Sequence, residues 1–133
     1  MNPCLIDSGF LYALIDKGDQ HTIPVKITLE TVFEEIILPV PAITEVAYFV
    51  SKNLGPKALA DFIYGLNEMN LIIESPLPAD YIRSAEILRK YNETNIDFVD
   101  ACIVAMAERL NYKNSDRRPS SFQYFQTGAL RFV

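Results

Sequence analysis

Short apolar runs alternate with longer helical patterns along this chain, and that alternation limits the folds it can adopt. Residues 3–6, 36–40 and 71–74 are largely apolar runs of strand length, and each is followed by residues that favour a turn or a helix start. Buried strands that alternate with helices are typical of a parallel sheet covered on both faces. We therefore expect an α/β fold of three layers, in which helices flank a short, mostly parallel central sheet of about four or five strands.

The helices are predicted from apolar periodicity and from residues that start or stop helices. Ser8 is a candidate N-cap for a helix over 9–16, and Thr94 is a candidate N-cap for a helix over 96–110. The segment Asn53-Leu54-Gly55-Pro56 is expected to break the helical pattern. Further helices are predicted over 22–35, 42–52, 57–67 and 78–91, and a last strand over 120–125. With 133 residues and no repeat or internal linker, the chain is predicted to be one domain over 1–133.

Cysteine usage favours a reducing compartment. Cys4 and Cys102 are far apart in the sequence and lie among apolar residues, so both are expected to be buried free thiols. The N-terminus has neither a basic region nor a long apolar stretch, and no segment is long enough to span a bilayer. We therefore expect a cytoplasmic protein that has no signal peptide and no membrane contact.

Charge is distributed unevenly along the chain, whose net charge is −5. Residues 1–82 hold four Lys or Arg against eleven Asp or Glu, whereas residues 83–133 hold eight Lys or Arg against six Asp or Glu. The basic excess in the second part would suit phosphate contacts at one edge of an acidic protein. It would equally suit a solvated helix face, and the sequence leaves both interpretations open.

Two acidic residues follow two of the predicted strands. Asp7 comes directly after the first strand, and Glu45 lies just beyond the second, at the start of the next helix. The carboxyl ends of parallel strands meet at one edge of a sheet, and ligand sites of open α/β sheets lie beyond that edge. The sequence therefore predicts that Asp7 and Glu45 lie at the same edge.

Three further acids extend this set. Asp97 and Asp100 are three residues apart and share a face of one helix, while Asp116 follows that helix in the sequence. Carboxylates this close repel one another unless a cation offsets their charge. Four or five of them could hold one or two Mg²⁺ or Mn²⁺ ions, which suits metal-dependent nuclease chemistry. Arg117 and Arg118 would then hold phosphate near the site.

Each acid also has an ordinary structural interpretation. Asp7 could form only a turn with the two residues after it, and Asp116 could be a loop acid. Glu45 and Asp97 could be favourable charges at helix starts, and Asp97 could belong to a capping box. Asp100 is harder to explain in this way, because its neighbours in the helix are apolar.

The single histidine, His21, excludes several kinds of site. One histidine cannot build a His-rich metal site, and no Ser-His-Asp or Cys-His arrangement is evident in the sequence. We expect His21 at a helix start or on the surface. The sequence also has no phosphate-binding glycine loop, so a nucleotide cofactor is not expected.

The ordered motifs resemble the PIN domain family, and within it the VapC-like toxins of toxin–antitoxin pairs. The matching segments are Leu5-Ile6-Asp7-Ser8-Gly9, Ile43-Thr44-Glu45-Val46, Asp97-Phe98-Val99-Asp100-Ala101, Ala105-Met106-Ala107-Glu108-Arg109-Leu110 and Ser115-Asp116-Arg117-Arg118. The resemblance implies a PIN-like fold and a Mg²⁺-dependent endoribonuclease that is restrained by a cognate antitoxin protein and is usually a homodimer.

The resemblance also assigns residues. It places the family's catalytic acids at Asp7, Glu45, Asp100 and Asp116. Among them we expect Asp7 and Asp100 to bind the metal directly. Asp97 and Ser8 are accessory candidates, and Arg117 and Arg118 are candidates for RNA binding.

One segment departs from the family pattern. Members usually have a hydrophobic strand directly before the last acid, whereas residues 111–119 are polar and include Pro119, which cannot donate a hydrogen bond to a sheet. This departure motivates an alternative, in which a catalytically degenerate PIN fold acts as a protein-binding module. A phosphatase-like enzyme with Asp7 as nucleophile is a third hypothesis, although the second aspartate of the common phosphatase pattern is missing.

Overall fold

Five strands form one sheet in the computed structural model, which describes residues 3–15, 35–115, 123–124 and 129–131. The strands are β1 (Pro3–Ile6), β2 (Glu35–Pro39), β3 (Ile72–Glu74), β4 (Gln123–Tyr124) and β5 (Ala129–Arg131). The helices are α1 (Ser8–Ile15), α2 (Val40–Leu66), α3 (Pro78–Lys90) and α4 (Phe98–Ser115).

The strand order is β3-β2-β1-β5-β4. β1 pairs in parallel with β2, and β2 pairs in parallel with β3. β5 is antiparallel to β1, and β4 is antiparallel to β5. The α/β fold with a central sheet is therefore as predicted, and the parallel pairing joins the three strands that alternate with helices. Strand β5 was not predicted, because a three-residue run is too short to show an alternating pattern.

Burial differs sharply between the middle and the edge of the sheet. Leu5 and Ile6 are both 0% exposed, although successive residues of a strand point to opposite faces. Layers therefore cover both faces of β1. At the edge strand β3, Ile72 and Ile73 are 43% and 49% exposed, so neither face is fully covered there.

The core joins β1 and β2 to α1, α2 and α4. Fully buried side chains come from each of these elements: Leu5, Ile6, Leu11, Leu38, Ala42, Ile103 and Met106. Burying one Leu or Ile side chain stabilises a fold by about 1.5–3 kcal/mol. The core thereby fixes the start of α1 and the first turns of α2 and α4 against the ends of β1 and β2.

Helix α2 bends where the sequence predicted a break. The two predicted helices over 42–52 and 57–67 form one helical run, interrupted by Gly55 with φ 86° and ψ 177°. A side chain strongly disfavours that backbone conformation, whereas glycine adopts it readily. The predicted break is therefore a kink inside α2.

For several other predictions, the structure describes only some of the residues concerned. Glu35 was predicted to end a helix over 22–35, but it begins β2, and residues 22–34 lie outside the described residues. Cys102 is a buried free thiol as predicted, whereas the side chain of Cys4 lies outside the described ones. In the described ranges, every helix is too short or too polar to cross a bilayer.

Candidate acidic site

Asp7 caps helix α1. Its side-chain Oδ1 accepts a hydrogen bond from the backbone N–H of Phe10 at 3.0 Å, and its carbonyl oxygen accepts the N–H of Leu11 at 3.0 Å. This is the geometry of an N-cap, in which a short acidic side chain satisfies an orphan donor of the first turn. The prediction that Ser8 caps this helix was therefore wrong, because Ser8 is its first helical residue. The buried Ser8 Oγ has no hydrogen-bond partner among the described residues.

Asp97 and Asp100 form a reciprocal capping box at the start of α4. The backbone N–H of Asp100 donates to Asp97 Oδ1 at 2.9 Å, and the N–H of Asp97 donates to Asp100 Oδ2 at 3.4 Å. The predicted N-cap, Thr94, was wrong: its Oγ1 donates to the carbonyl oxygen of Tyr91 at 2.7 Å in the preceding turn. The cap therefore fixes the Asp100 carboxyl group at the N-terminus of the helix.

Burial raises the pKa of the Asp7 carboxyl group. The backbone N–H groups of Phe10 and Gly9 oppose this by stabilising the charged form, while the charges of Asp100 and Glu45 raise the pKa further. Charges act in this way only over short distances. The Asp7 carboxyl group therefore lies within electrostatic range of both of the other acids.

Burial also raises the pKa of the Asp100 carboxyl group. The Asp97 backbone N–H lowers it, while the negative charges of Asp97 and Glu45 raise it. Since Glu45 acts on both Asp7 and Asp100, these acids share one electrostatic neighbourhood at the edge where β1 and β2 end. We refer to Asp7, Glu45, Asp97 and Asp100 as the acidic site.

The donor chemistry of the acidic site fits a hard divalent cation. All of its members present carboxylate oxygens, and two of them, Asp7 and Asp100, have raised pKa values that a cation would offset. In the part of the chain that the structure describes, no three His, Cys, Asp or Glu side chains form a ready metal cluster. Mg²⁺ commonly binds through one or two carboxylates and keeps several waters, so a pair such as Asp7 and Asp100 offers ligands of the right kind.

The remaining predicted site residues, His21, Asp116, Arg117 and Arg118, lie outside the described residues. One expectation about their surroundings was wrong. The polar segment after Leu110 was predicted to leave the helix, but α4 continues to Ser115. Residues 111–115 contain no proline or glycine, so nothing in them stops a helix.

Sequence reasoning missed a buried ionic cluster behind α4. Asp80 has a side chain that is 3% exposed, and it accepts hydrogen bonds from Arg109 Nε at 3.1 and 3.0 Å and from the backbone N–H of Leu77 at 2.7 Å. Arg109 Nη1 also reaches Glu74 Oε1 at 3.3 Å. One signal was present in the sequence. Asp80 follows Pro78-Ala79 and so occupies the third position of the predicted helix, from which an acidic side chain can accept the backbone N–H of the N-cap residue.

A second arginine in the basic part of the chain is also paired. The guanidinium of Arg83 donates to both carboxylate oxygens of Glu108, at 2.8 and 3.1 Å, and to Glu86 at 3.1 Å. These bonds raise the pKa of Arg83 above its ordinary value. Arg83 and Arg109 therefore join helices α3 and α4 and contribute to the fold.

Comparisons with known proteins agree on one fold. The family model described as PIN domain matches residues 4–114. The chain resembles the crystal structure of Mycobacterium tuberculosis VapC20, described as a Sarcin-Ricin loop cleaving toxin, with a TM-score of 0.70 and 18% sequence identity over 80% of this chain and 82% of that chain.

It also resembles the crystal structure of FitAcB from Neisseria gonorrhoeae, with a TM-score of 0.55 and 16% identity over 80% of this chain and 81% of that chain. At such identities the likeness establishes the fold alone. No sequence among the curated proteins matches this chain. The resemblance inferred from the motifs, together with the fold class that it implies, is therefore confirmed.

Proposed function

Because the chain belongs to the PIN domain family, we propose that it is a metal-dependent endoribonuclease that cleaves RNA phosphodiester bonds. The observation that carries the proposal is that the charges of Asp100 and Glu45 both act on the Asp7 carboxyl group, which follows β1 at the end of the strand. The family match over residues 4–114 includes all three acids. Mutually repelling carboxylates at a sheet edge are best suited to holding a hard cation.

Asp7 and Asp100 would hold Mg²⁺ or Mn²⁺ directly, since their carboxyl groups are the partly buried ones whose negative charge needs compensation. When bound, such an ion activates water and stabilises the oxygens of an in-line phosphodiester displacement. Helix α1 and the α4 capping box hold the two carboxyl groups in place through backbone N–H groups. Glu45 is exposed, so its carboxylate can complete the shell of the metal or orient the attacking water.

The accessory roles follow from position. Asp97 orders Asp100 by accepting its N–H, and Ser8 places a buried hydroxyl next to Asp7 in the chain. The proposal also gives Asp116 the role of supporting a second ion or a water. Arg117 and Arg118 would hold the RNA backbone.

The proposal extends to a type II toxin–antitoxin pair. One solved structure with the same fold supports it, since it is described as a toxin that cleaves the Sarcin-Ricin loop. In this proposal the partners are an RNA substrate, a cognate antitoxin protein and a second copy of the chain in a homodimer. The pair would act in the cytoplasm.

The test is cleavage of RNA by the purified chain, with and without Mg²⁺. We expect Asp7→Asn and Asp100→Asn each to lower the cleavage rate by at least about 100-fold, because both remove a metal ligand. Asp61→Asn is the matched control, since it neutralises an exposed acid beyond the kink of α2 and is expected to leave the rate unchanged. Unchanged cleavage in both site variants would overturn the assigned roles.

The alternative is a degenerate PIN fold that acts as a protein-binding module. The lack of a ready three-acid metal cluster among the described residues favours this alternative. Calorimetry separates the two functions: binding of Mg²⁺ or Mn²⁺ at millimolar concentration that is lost in Asp7→Asn supports the nuclease. No binding by the unmodified chain supports the module.

A further inference from the structure

Two exposed aromatic rings lie in parallel beside the acidic site. The Tyr81 and Phe98 rings have centroids 6.3 Å apart and planes within 6° of each other. Tyr81 and Phe98 are 49% and 51% exposed, so about half of each residue still faces solvent. We call Tyr81 and Phe98 the aromatic pair.

The aromatic pair stands on rigid supports. Phe98 is the first residue of α4, directly after the cap residue Asp97, and the Asp97–Asp100 capping box fixes this first turn. Tyr81 follows Asp80, whose carboxylate is held by Arg109 and by the N–H of Leu77 in the first turn of α3. Because both rings are attached to capped helix starts, little ordering is needed for them to meet a ligand.

Phe98 is also close to the acidic site without being part of it. Residues one and two positions apart on a helix do not face each other, so the ring leaves α4 in a different direction from the Asp100 side chain. The two residues are nevertheless within about 3 Å of each other along the helix axis. A ligand bound at Asp100 therefore lies at the same end of α4 as Phe98.

The orientation of the rings favours a flat ligand. The other ring pair found among the described residues, Tyr12 and Phe49, is edge-to-face at 86° and offers no shared flat surface. Parallel rings with accessible area present aromatic faces, and an unpaired nucleic-acid base can stack on such a face whatever its sequence. Stacking involves no net charge, so the negative charge of the acidic site does not weaken it.

We propose that the aromatic pair is a stacking platform for an unpaired base of the RNA strand whose phosphate occupies the acidic site. The proposal rests on the proposed ribonuclease function and names two residues, Tyr81 and Phe98, that would contact a base of the substrate. The stacked base belongs to a nucleotide that neighbours the cleaved bond, since the ring stands to one side of Asp100. A contact for a protein partner is the competing use of the same rings.

The test measures binding of short single-stranded oligoadenylate and oligouridylate to the full chain by fluorescence anisotropy. All proteins carry Asp7→Asn, which keeps the RNA intact and preserves the cap of α1. We expect Phe98→Ala and Tyr81→Ala each to weaken binding about 10-fold, with the larger loss for oligoadenylate. Phe98→Trp is expected to retain binding, and Tyr64→Ala, which removes an exposed ring on α2, is the matched control.

A salt titration distinguishes stacking from phosphate contact. Loss of a stacking ring lowers affinity without changing the slope of log affinity against log salt, whereas loss of a phosphate contact reduces that slope by about one. Unchanged affinity in both alanine variants overturns the platform, as does altered self-association with RNA binding intact. Failure of the unmodified chain to cleave any RNA, with the 10-fold binding loss still present, removes the nuclease proposal and leaves the platform in place.

Discussion

Asp97 and Asp100 exchange backbone-to-carboxylate hydrogen bonds across the first turn of α4, at 2.9 Å in one direction and 3.4 Å in the other. Both carboxylates take part in the helix cap, and both belong to the acidic site. The same pair of bonds therefore links the stability of α4 to the geometry of the proposed metal ligand.

Replacing Asp97 tests this link. Asp97→Ala removes the cap and is expected to lower the free energy of unfolding by about 1 kcal/mol. It also releases the Asp100 backbone, so cleavage is expected to fall about 10- to 100-fold, as for other groups that orient a metal ligand. Asp97→Asn keeps an acceptor oxygen and should restore most of the stability. Urea unfolding and initial cleavage rates measure both effects, and an equal loss of activity in the two variants would contradict an orienting role.

Asp7→Asn is expected to separate stability from activity. Asparagine caps a helix as well as aspartate does, and the substitution removes a charge that burial disfavours. In the absence of metal, the melting temperature at neutral pH should be equal to or higher than that of the unmodified chain. Thermal melts in EDTA measure it, with Asp61→Asn as the control. A clear drop would mean that the Asp7 charge itself stabilises the fold.

Metal-free stability is expected to depend on pH through Asp7 and Asp100. Both carboxyl groups have folded pKa values above their ordinary values, so their contribution is fully present below the unfolded pKa, about 4, and is lost as pH rises through the folded values. Mg²⁺ should offset this loss at neutral pH and have no effect once the carboxyl groups are protonated. Melting temperatures in EDTA and in Mg²⁺ across this range test the sign, with the Asp7→Asn, Asp100→Asn double variant as a reference of weaker dependence.

Removing Arg109 is expected to be far more damaging than removing Arg83. Arg109→Met leaves the buried Asp80 carboxylate without its ion partner and should cost about 3–5 kcal/mol. Arg83 is 43% exposed in its side chain, so Arg83→Met should cost about 1 kcal/mol or less. Chemical denaturation compares the pair, and similar costs would show that the burial of Asp80 is not what makes Arg109 important.

Two glycines of α2 are expected to respond oppositely to alanine. Gly55 has φ 86° and no atom within 4 Å of an added Cβ, so Gly55→Ala should destabilise the fold by about 1–3 kcal/mol through backbone strain alone. Gly65 has the same open space and an ordinary φ, so Gly65→Ala should stabilise the helix by about 0.5–1 kcal/mol. Urea unfolding of both variants measures the contrast, and a neutral Gly55→Ala would show that the kink is free to straighten.

The sequence predicted β1, β2 and β3 to within a residue or two, because each is an apolar run between turn residues. It could not decide which of several neighbouring capping residues would be used. Asp7 caps α1 in place of Ser8, and Asp97 caps α4 in place of Thr94, because the packed core sets where each helix begins. Strand β5 and the buried Asp80–Arg109 pair depend on partners distant in the sequence, which local patterns do not reveal.

The acidic site was foreseeable only in outline. The rule that parallel strands end at one edge predicted that Asp7 and Glu45 lie at the same edge, and in the structure the charges of Glu45 and Asp100 both act on Asp7. The Tyr81–Phe98 stacking was not foreseeable, since it joins two helices whose relative placement the sequence does not contain.

The edge strand β3 is short, which limits the unpaired backbone N–H and C=O groups at that edge of the sheet. Beyond its three residues the chain reaches Ser75 and then Pro76, which has no N–H to offer a neighbouring strand, and Glu74 at the end of the strand is paired with Arg109. Ile72 and Ile73 are exposed, so a longer β3 would present an apolar edge strand with which other chains could pair. Pro76, two residues past the strand, thus limits the length of edge that a second chain could pair with.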